Sequence, residues 1–218
     1  MTPFPILFED GEALVIDKPA GLPLDRPRAG GDSLINYLDD LRFGFQRTPT
    51  PVHRLDRDTS GCLLLARNPK ALKRFAAAFE ARRVDKRYLG VVGGELADEA
   101  GTIELALAKI SSAADGWRII PARKGKAAVT HWRRLAVRDG RTLVEFRPET
   151  GRTHQIRVHC RAGLGAALIG DPVYGDGNGA ARTMLHAAGL SIDRDGKPPV
   201  IAVAPLPADF AALGFVDG

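Results

Sequence analysis

The chain has 218 residues, 44% of them hydrophobic, enough to bury a full core in one generous domain and too apolar for a disordered chain. Its 31 Lys plus Arg against 26 Asp plus Glu leave a formal charge of +5, which leans towards a polyanionic partner without demanding one. Cys62 and Cys160 are too few and too far apart for a disulfide framework; the start lacks a signal-peptide pattern and no run approaches bilayer-spanning length, so the expectation is a cytoplasmic protein with no membrane segment.

Taken in chain order, Ala13 to Ile16 (ALVI) predicts a buried strand, and the turn DKPAGLPL that follows is punctuated by Pro19 and Gly21. Between Ser33 and Leu41, the residues Leu34, Ile35, Leu38 and Leu41 recur at helical spacing behind Asp32 or Ser33 as a cap, predicting a short amphipathic helix. RTPTPVHRLDRDTSG reads as a loop, and CLLLA (Cys62 to Ala66) as a covered strand. Asn68-Pro69 opens a helix with Leu72, Phe75, Ala76 and Phe79 on one face and Lys70, Lys73, Arg74, Arg82 and Arg83 on the other. KRYLGVVGG (Lys86 to Gly94) predicts a strand whose alternation sets Tyr88 opposite Leu89 and Val91. Beyond it, Trp117 to Ile120, Ala128 to Ala136, Thr142 to Pro148 and Thr153 to Cys160 all read as strands. One clear helix followed by many strands argues an α+β fold with a largely antiparallel sheet, as a single domain over residues 1–218.

Elimination narrows the chemistry. His53, His131, His154, His159 and His186 include no pair at zinc-site spacing, so no metal is expected. A Walker loop, a GxGxxG turn and a GxSxG elbow are all missing, which leaves no usual cradle for a nucleotide cofactor and no base for a nucleophilic serine. What remains is Asp56, caged between Arg54 and Arg57 in PVHRLDRDTSG, a polar run GRTHQIRVH (Gly151 to His159), and Tyr88. Taken singly, each has an ordinary reading: a turn aspartate, a surface charge and an amphipathic sheet residue.

Taken together these blocks carry a resemblance. ILFEDGEALVIDKPAGLPL, PVHRLDRDTSGCLLLA, FEARRVDKRYLGVVGG, RPETGRTHQIRVHC, IGDPVYGD, MLHAAGLSI and APLPADF resemble, in order and over nearly the whole chain, the pseudouridine synthases of the RluA type. The resemblance implies the pseudouridine synthase fold, a largely antiparallel mixed sheet flanked by helices and loops. It also implies isomerisation of a uridine in structured RNA, a ribosomal or transfer RNA stem-loop, with no cofactor. The glycosidic bond breaks, the uracil turns, and C5 joins the ribose. No extra basic module precedes the first block, so a separate S4-like domain is not expected, nor is an obligate protein partner; the expectation is a monomer.

By the same resemblance Asp56 is the catalytic carboxylate, as nucleophile or as base at the sugar, and Tyr88 packs on the flipped uracil and takes the C5 proton. Arg157 is the ion-pair partner that keeps the acid ionised, with Arg152 ranked second. A strand over this segment would place Thr153, Gln155, Arg157 and His159 on one face and Ile156 and Val158 on the core side. Arg54 helps to displace the target base or fills the gap left behind, Arg57 meets a phosphate of the RNA or makes a structural salt bridge with Asp58 or a neighbour, Arg152 and His53 meet the RNA, and Ile156 and Leu185 floor the pocket. Basic loops, Asp25 to Gly31 and Arg123-Lys124-Gly125-Lys126, would extend the RNA groove. Two other readings stay open: an RNA-binding protein on an inactive scaffold, and a glycosidase, which would need a second acid.

Overall fold

The structure is a computed structural model and describes residues 4–27, 30–112 and 116–216; Arg28 and Ala29 of the basic loop at Asp25 to Gly31 lie outside the described residues. Its elements are β1 (Ile6–Glu9), β2 (Ala13–Lys18), β3 (Thr50–Pro51), β4 (Ser60–Ala66), α1 (Pro69–Glu80), β5 (Val84–Gly93), β6 (Ala100–Glu104), β7 (Leu107–Ser112), β8 (Gly116–Pro121), β9 (Val129–Arg138), β10 (Arg141–Pro148), α2 (Gln155–Gly163), β11 (Leu185–Arg194), β12 (Lys197–Val203) and α3 (Ala208–Ala212). Many strands and few helices make this an α+β protein. Two compact units divide the chain, Met1–Lys86 with His186–Pro205, and Arg87–Leu185 with Leu206–Gly218, so neither is one contiguous segment. Among the described residues no helix is long and apolar enough to cross a membrane.

In the first unit β2 pairs antiparallel with β1 and β4, β3 adds to β4, and β11 runs parallel to β4 with β12 antiparallel on its far side. Every residue of β4 is buried, which is why CLLLA reads as a continuous apolar run rather than an alternation. Asn68 caps α1, its side chain accepting from the Ala71 amide at 2.9 Å, with Pro69 in the first turn. The helix buries Ala71, Phe75 and Ala78 against Val15, Cys62 and Leu64. Leu72 and Phe79 pack at the edge of that cluster, while Ala76 is exposed, so the buried stripe is rotated from the one the sequence suggests.

The expected helix from Ser33 to Leu41 is instead two short 3-10 turns, Leu34–Tyr37 and Asp40–Arg42. Asp32 accepts from the Ser33 amide and from the Asn36 and Tyr37 side chains, and Phe43 and Gly44 then turn left-handed. Local side-chain bonds outbid the α-helical ladder there, and Ile35 is left half exposed.

Gly61, second in β4, has φ +104, and a Cβ there would stand 2.2 Å from the Ala187 carbonyl oxygen of β11. Only glycine allows the parallel pairing of Ser60 with His186 and Gly61 with Ala187 at that approach. Gly61→Ala is expected to cost on the order of 3 kcal/mol or more, read as a shifted urea midpoint with an unchanged slope.

In the second unit β10 pairs antiparallel with β5 and β9, and β6 flanks β9, while β7 and β8 form a separate hairpin. Thr153 to Cys160, expected as a strand, belongs instead to a turn and to α2. The cause is double burial. Ile156 and Cys160 pack on Val92, Val144 and Phe146 of the sheet, and Val158 packs on Leu107, Ile119 and Ala128 of the hairpin side. A helix covered on two sides shows apolar residues at every second position and mimics the strand period. The strand-face argument for Arg157 falls with it, since Gln155 through Cys160 are all buried.

Candidate functional site

The loop that carries Asp56 is pinned from beneath. Leu55 is buried, Asp56 is half-buried, and the Thr59 amide donates to the Asp56 carbonyl at 3.1 Å, closing a turn over Asp56 to Thr59. At the end of β2, the fully buried Lys18 ammonium donates to the carbonyls of Pro19 at 2.7 Å, Leu22 at 2.9 Å and Arg57 at 3.0 Å. The Gly21 amide adds a bond to the same Arg57 carbonyl at 2.9 Å. A buried charge is tolerated only when its donors are matched, and here the match ties the DKPAGL turn to the residue after Asp56. Lys18 has only a weak signal in the sequence, a lysine ending the ALVIDK strand just before Pro19.

Around this loop Arg54 is exposed, and Arg57 reaches sideways to Asp58, with Nε donating to Oδ1 at 2.9 Å and Nη2 to Oδ2 at 3.3 Å. His53 is held inward. Its Nε2 accepts from the Leu64 amide at 3.1 Å and its ring stacks on Phe79 with centroids 4.8 Å apart. Burial, aided by the Lys86 charge, pushes the His53 pKa down to about 4, so the ring is neutral at neutral pH. Because folding favours that neutral form, the stability it contributes is complete above about pH 6.5 and is lost as pH falls towards 4. His53→Gln keeps an acceptor that does not titrate. Its melting temperature should therefore fall less between pH 7.5 and pH 5 than that of wild type, by a few degrees in a scanning melt; His159, whose pKa burial also lowers, contributes equally to both proteins.

Tyr88 sits on β5 opposite Phe146 of β10. The expected alternation holds: Tyr88 packs, partly buried, against the cluster that contains Ile156 and Leu185, so these three are brought together. Leu89 and Val91, on the other face, are also buried.

Arg157 lies on α2, 8% exposed, gripping Asp171 with both arms of its guanidinium, Nε to Oδ2 at 2.8 Å and Nη2 to Oδ1 at 2.7 Å. Burial pushes the Asp171 carboxyl up, but Arg157 and the amides of Val173 and Tyr174 outweigh it and hold the group below its ordinary value. The Arg157 guanidinium also lies 5.1 Å from the centroid of the Tyr174 ring. Asp171 and Tyr174 both belong to IGDPVYGD, a block the sequence marked but gave no role.

The turn before α2 is stapled by Gln155. Its Oε1 accepts from the Thr150 hydroxyl at 2.7 Å and the Arg152 amide at 3.0 Å, and its Nε2 donates to the Val129 carbonyl and the Thr130 hydroxyl, each at 2.9 Å. Arg152 itself is exposed and donates from Nε to the Ala127 carbonyl at 3.1 Å. His154, at the start of the helix, is held left-handed at φ 53.

Comparison with known proteins gives a consistent picture. A family model described as RNA pseudouridylate synthase matches residues 12–162. An uncharacterized RNA pseudouridine synthase of Zymomonas mobilis is 56% identical over 212 residues, covering 96% of this chain and 97% of the relative. A ribosomal large subunit pseudouridine synthase D of the same organism is 37% identical over 193 residues, covering 85% of this chain and 60% of the relative. Among solved structures, human RNA Pseudouridylate Synthase Domain Containing 1 superposes with a TM-score of 0.78 at 30% identity, covering 94% of this chain and 84% of that one.

Proposed function

The chain belongs to the RNA pseudouridylate synthases, isomerases that act on RNA, and from that premise we propose that it converts uridines of a ribosomal or transfer RNA stem-loop to pseudouridine with Asp56 as the catalytic carboxylate. The observation that carries this reading is the buried Lys18 ammonium, which fixes the backbone at Arg57 and so presents the HRLD loop with Asp56 half-exposed at the head of its turn. Preorganisation of this kind matches an acid that must meet one atom of a flipped nucleotide. Tyr88, resting on the cluster with Ile156 and Leu185, offers a flat apolar surface for a uracil and a phenolic oxygen that, having given up its own proton to solvent, takes the C5 proton.

Arg157 supports Asp56, and Arg54 fills the space the base leaves. Arg57 and Arg152, both exposed, meet phosphates. His53 serves the RNA contact indirectly, as a neutral anchor for the loop beside Arg54. Residues 1–218 serve as one catalytic domain. No cofactor enters the reaction, which is redox-neutral and consumes nothing, and the enzyme acts in the cytoplasm, where its RNA is made.

Pseudouridine maps of total RNA from cells with and without the protein test the reading: specific sites should vanish with it, and unchanged maps would refute it. Tyr88→Phe separates packing from proton transfer. It should bind RNA within about twofold of wild type yet lower pseudouridine yield by about 10² or more, the span of a lost general base, read by nucleoside mass spectrometry.

A further inference from the structure

The hairpin β7–β8 carries a feature that the reaction chemistry does not use. Its inner face is apolar where it covers the helix, with Leu107 and Ile119 on Val158 of α2. Lys109 pairs with Ile119 and Trp117 lies two residues before it, so both continue that same face past the start of the helix. There Trp117 is 48% exposed, its ring 5.1 Å from that of His154 at a tilt of 31°, with the Lys109 ammonium 5.1 Å from the indole centroid.

The support beneath the indole is rigid. His154 Nδ1 and the Tyr174 hydroxyl share a hydrogen bond of 2.9 Å, and that hydroxyl accepts from the Ile119 amide at 3.0 Å. Tyr174 in turn lies under the Arg157 guanidinium. An exposed indole, braced from behind, flanked by a lysine and joined through two rings, His154 and Tyr174, to Arg157, has the makings of a stacking surface. Arg118, on the other face of the hairpin, and Arg123, Lys124, Lys126 and Arg152 of the same unit are all exposed and add positive charge.

We propose that Trp117 is a base-stacking platform for an unpaired nucleotide of the RNA substrate, outside the target uridine, with Lys109 moving from the ring to that nucleotide's phosphate. The inference rests on the RNA-modifying reading above but is tested by binding alone. Wild type, Trp117→Ala, Trp117→Phe and Lys109→Ala are titrated with a 12-nucleotide single-stranded oligouridine and with a 12-base-pair RNA duplex, by anisotropy of the labelled RNA and by tryptophan emission. The second tryptophan, Trp132, is only 8% exposed, so quenching reports on Trp117.

The single strand should quench wild-type emission, and Trp117→Ala should bind it about tenfold more weakly, with Trp117→Phe in between and duplex affinity unchanged. Tenfold corresponds to about 1.4 kcal/mol. The salt slope should be unchanged in Trp117→Ala and shallower by about 0.7 in Lys109→Ala, as one phosphate contact is lost. Wild-type affinity in Trp117→Ala, equal losses for single strand and duplex, or no binding of oligouridine by wild type each overturns the platform. Pseudouridine formation is assayed in parallel: a wild type that binds through Trp117 yet isomerises no RNA refutes the synthase reading and leaves the platform standing.

Discussion

Asp56→Asn should abolish pseudouridine formation, by about 10³-fold or more, while leaving the protein folded and able to bind RNA. The substitution is nearly isosteric and falls in a turn fixed by other groups: Leu55 is buried beneath it, the Thr59 amide holds its carbonyl, and Lys18 holds the carbonyl next in line. Those bonds use backbone groups and not the Asp56 carboxylate, so the turn should keep its shape. If RNA affinity rests largely on phosphate contacts made by arginines and lysines elsewhere, it should stay within a few-fold of wild type at fixed salt. What an amide cannot do is attack an anomeric carbon or take a proton from the sugar. Nucleoside mass spectrometry of RNA incubated with equal amounts of the two proteins decides the matter, and ordinary turnover by the asparagine variant would remove Asp56 from the mechanism.

Arg157→Met should be the most destabilising of the site substitutions, costing about 3–5 kcal/mol, because it strips the guanidinium from an Asp171 side chain that has no exposed surface. The pH dependence has a definite sign. With its folded pKa held below the unfolded value, Asp171 contributes stability that is complete above about pH 4 and disappears as the pH falls through the folded value. Asp171→Asn should accordingly lose that part of the acid transition, which urea titrations at pH 7 and pH 3 would reveal.

Activity then distinguishes two roles for the arginine. If Arg157 only braces the fold through Asp171, then Arg157→Met and Asp171→Asn, assayed well below their melting temperatures, should lose activity alike. If it also supports Asp56, Arg157→Met should lose more, and its pH–rate profile should shift to the alkaline side, with Arg157→Lys intermediate because it keeps the charge but not the planar fork. Arg152→Met is the control: weaker, salt-dependent RNA binding with no shift of the profile. A shift seen in Arg152→Met and not in Arg157→Met would mean that the two arginines had exchanged roles.

Where structure is set by neighbours in sequence, the chain was readable. Asn68 followed by Pro69 announces α1, and the unbroken apolar run through Leu65 announces β4. Where it is set by neighbours in space, the reading failed. Ile156, Val158 and Cys160 alternate because α2 is covered by both the sheet and the hairpin, and periodicity cannot tell this from a strand.

The candidate site divides in the same way. The motifs name Asp56, Tyr88 and Arg157, but the groups that hold them answer over long separations. Lys18 reaches across 39 positions to the Arg57 carbonyl, and Asp171 waits 14 residues beyond Arg157. Neither spacing belongs to a helix or strand period, so no local pattern could announce it.

The double cover of α2 also bears on how the protein breathes. Lifting the β7–β8 hairpin would wet Val158 on one side of the helix while Ile156 and Cys160 stayed packed on the other. Opening the helix itself would strip both covers at once, so α2 is expected to open only after, or together with, release of the hairpin. The backbone amides of Ile156 to Cys160 thus become internal reporters of the hairpin: anything that clamps the hairpin down slows their exchange, and with it any local unfolding that would loosen the grip of Arg157 on Asp171.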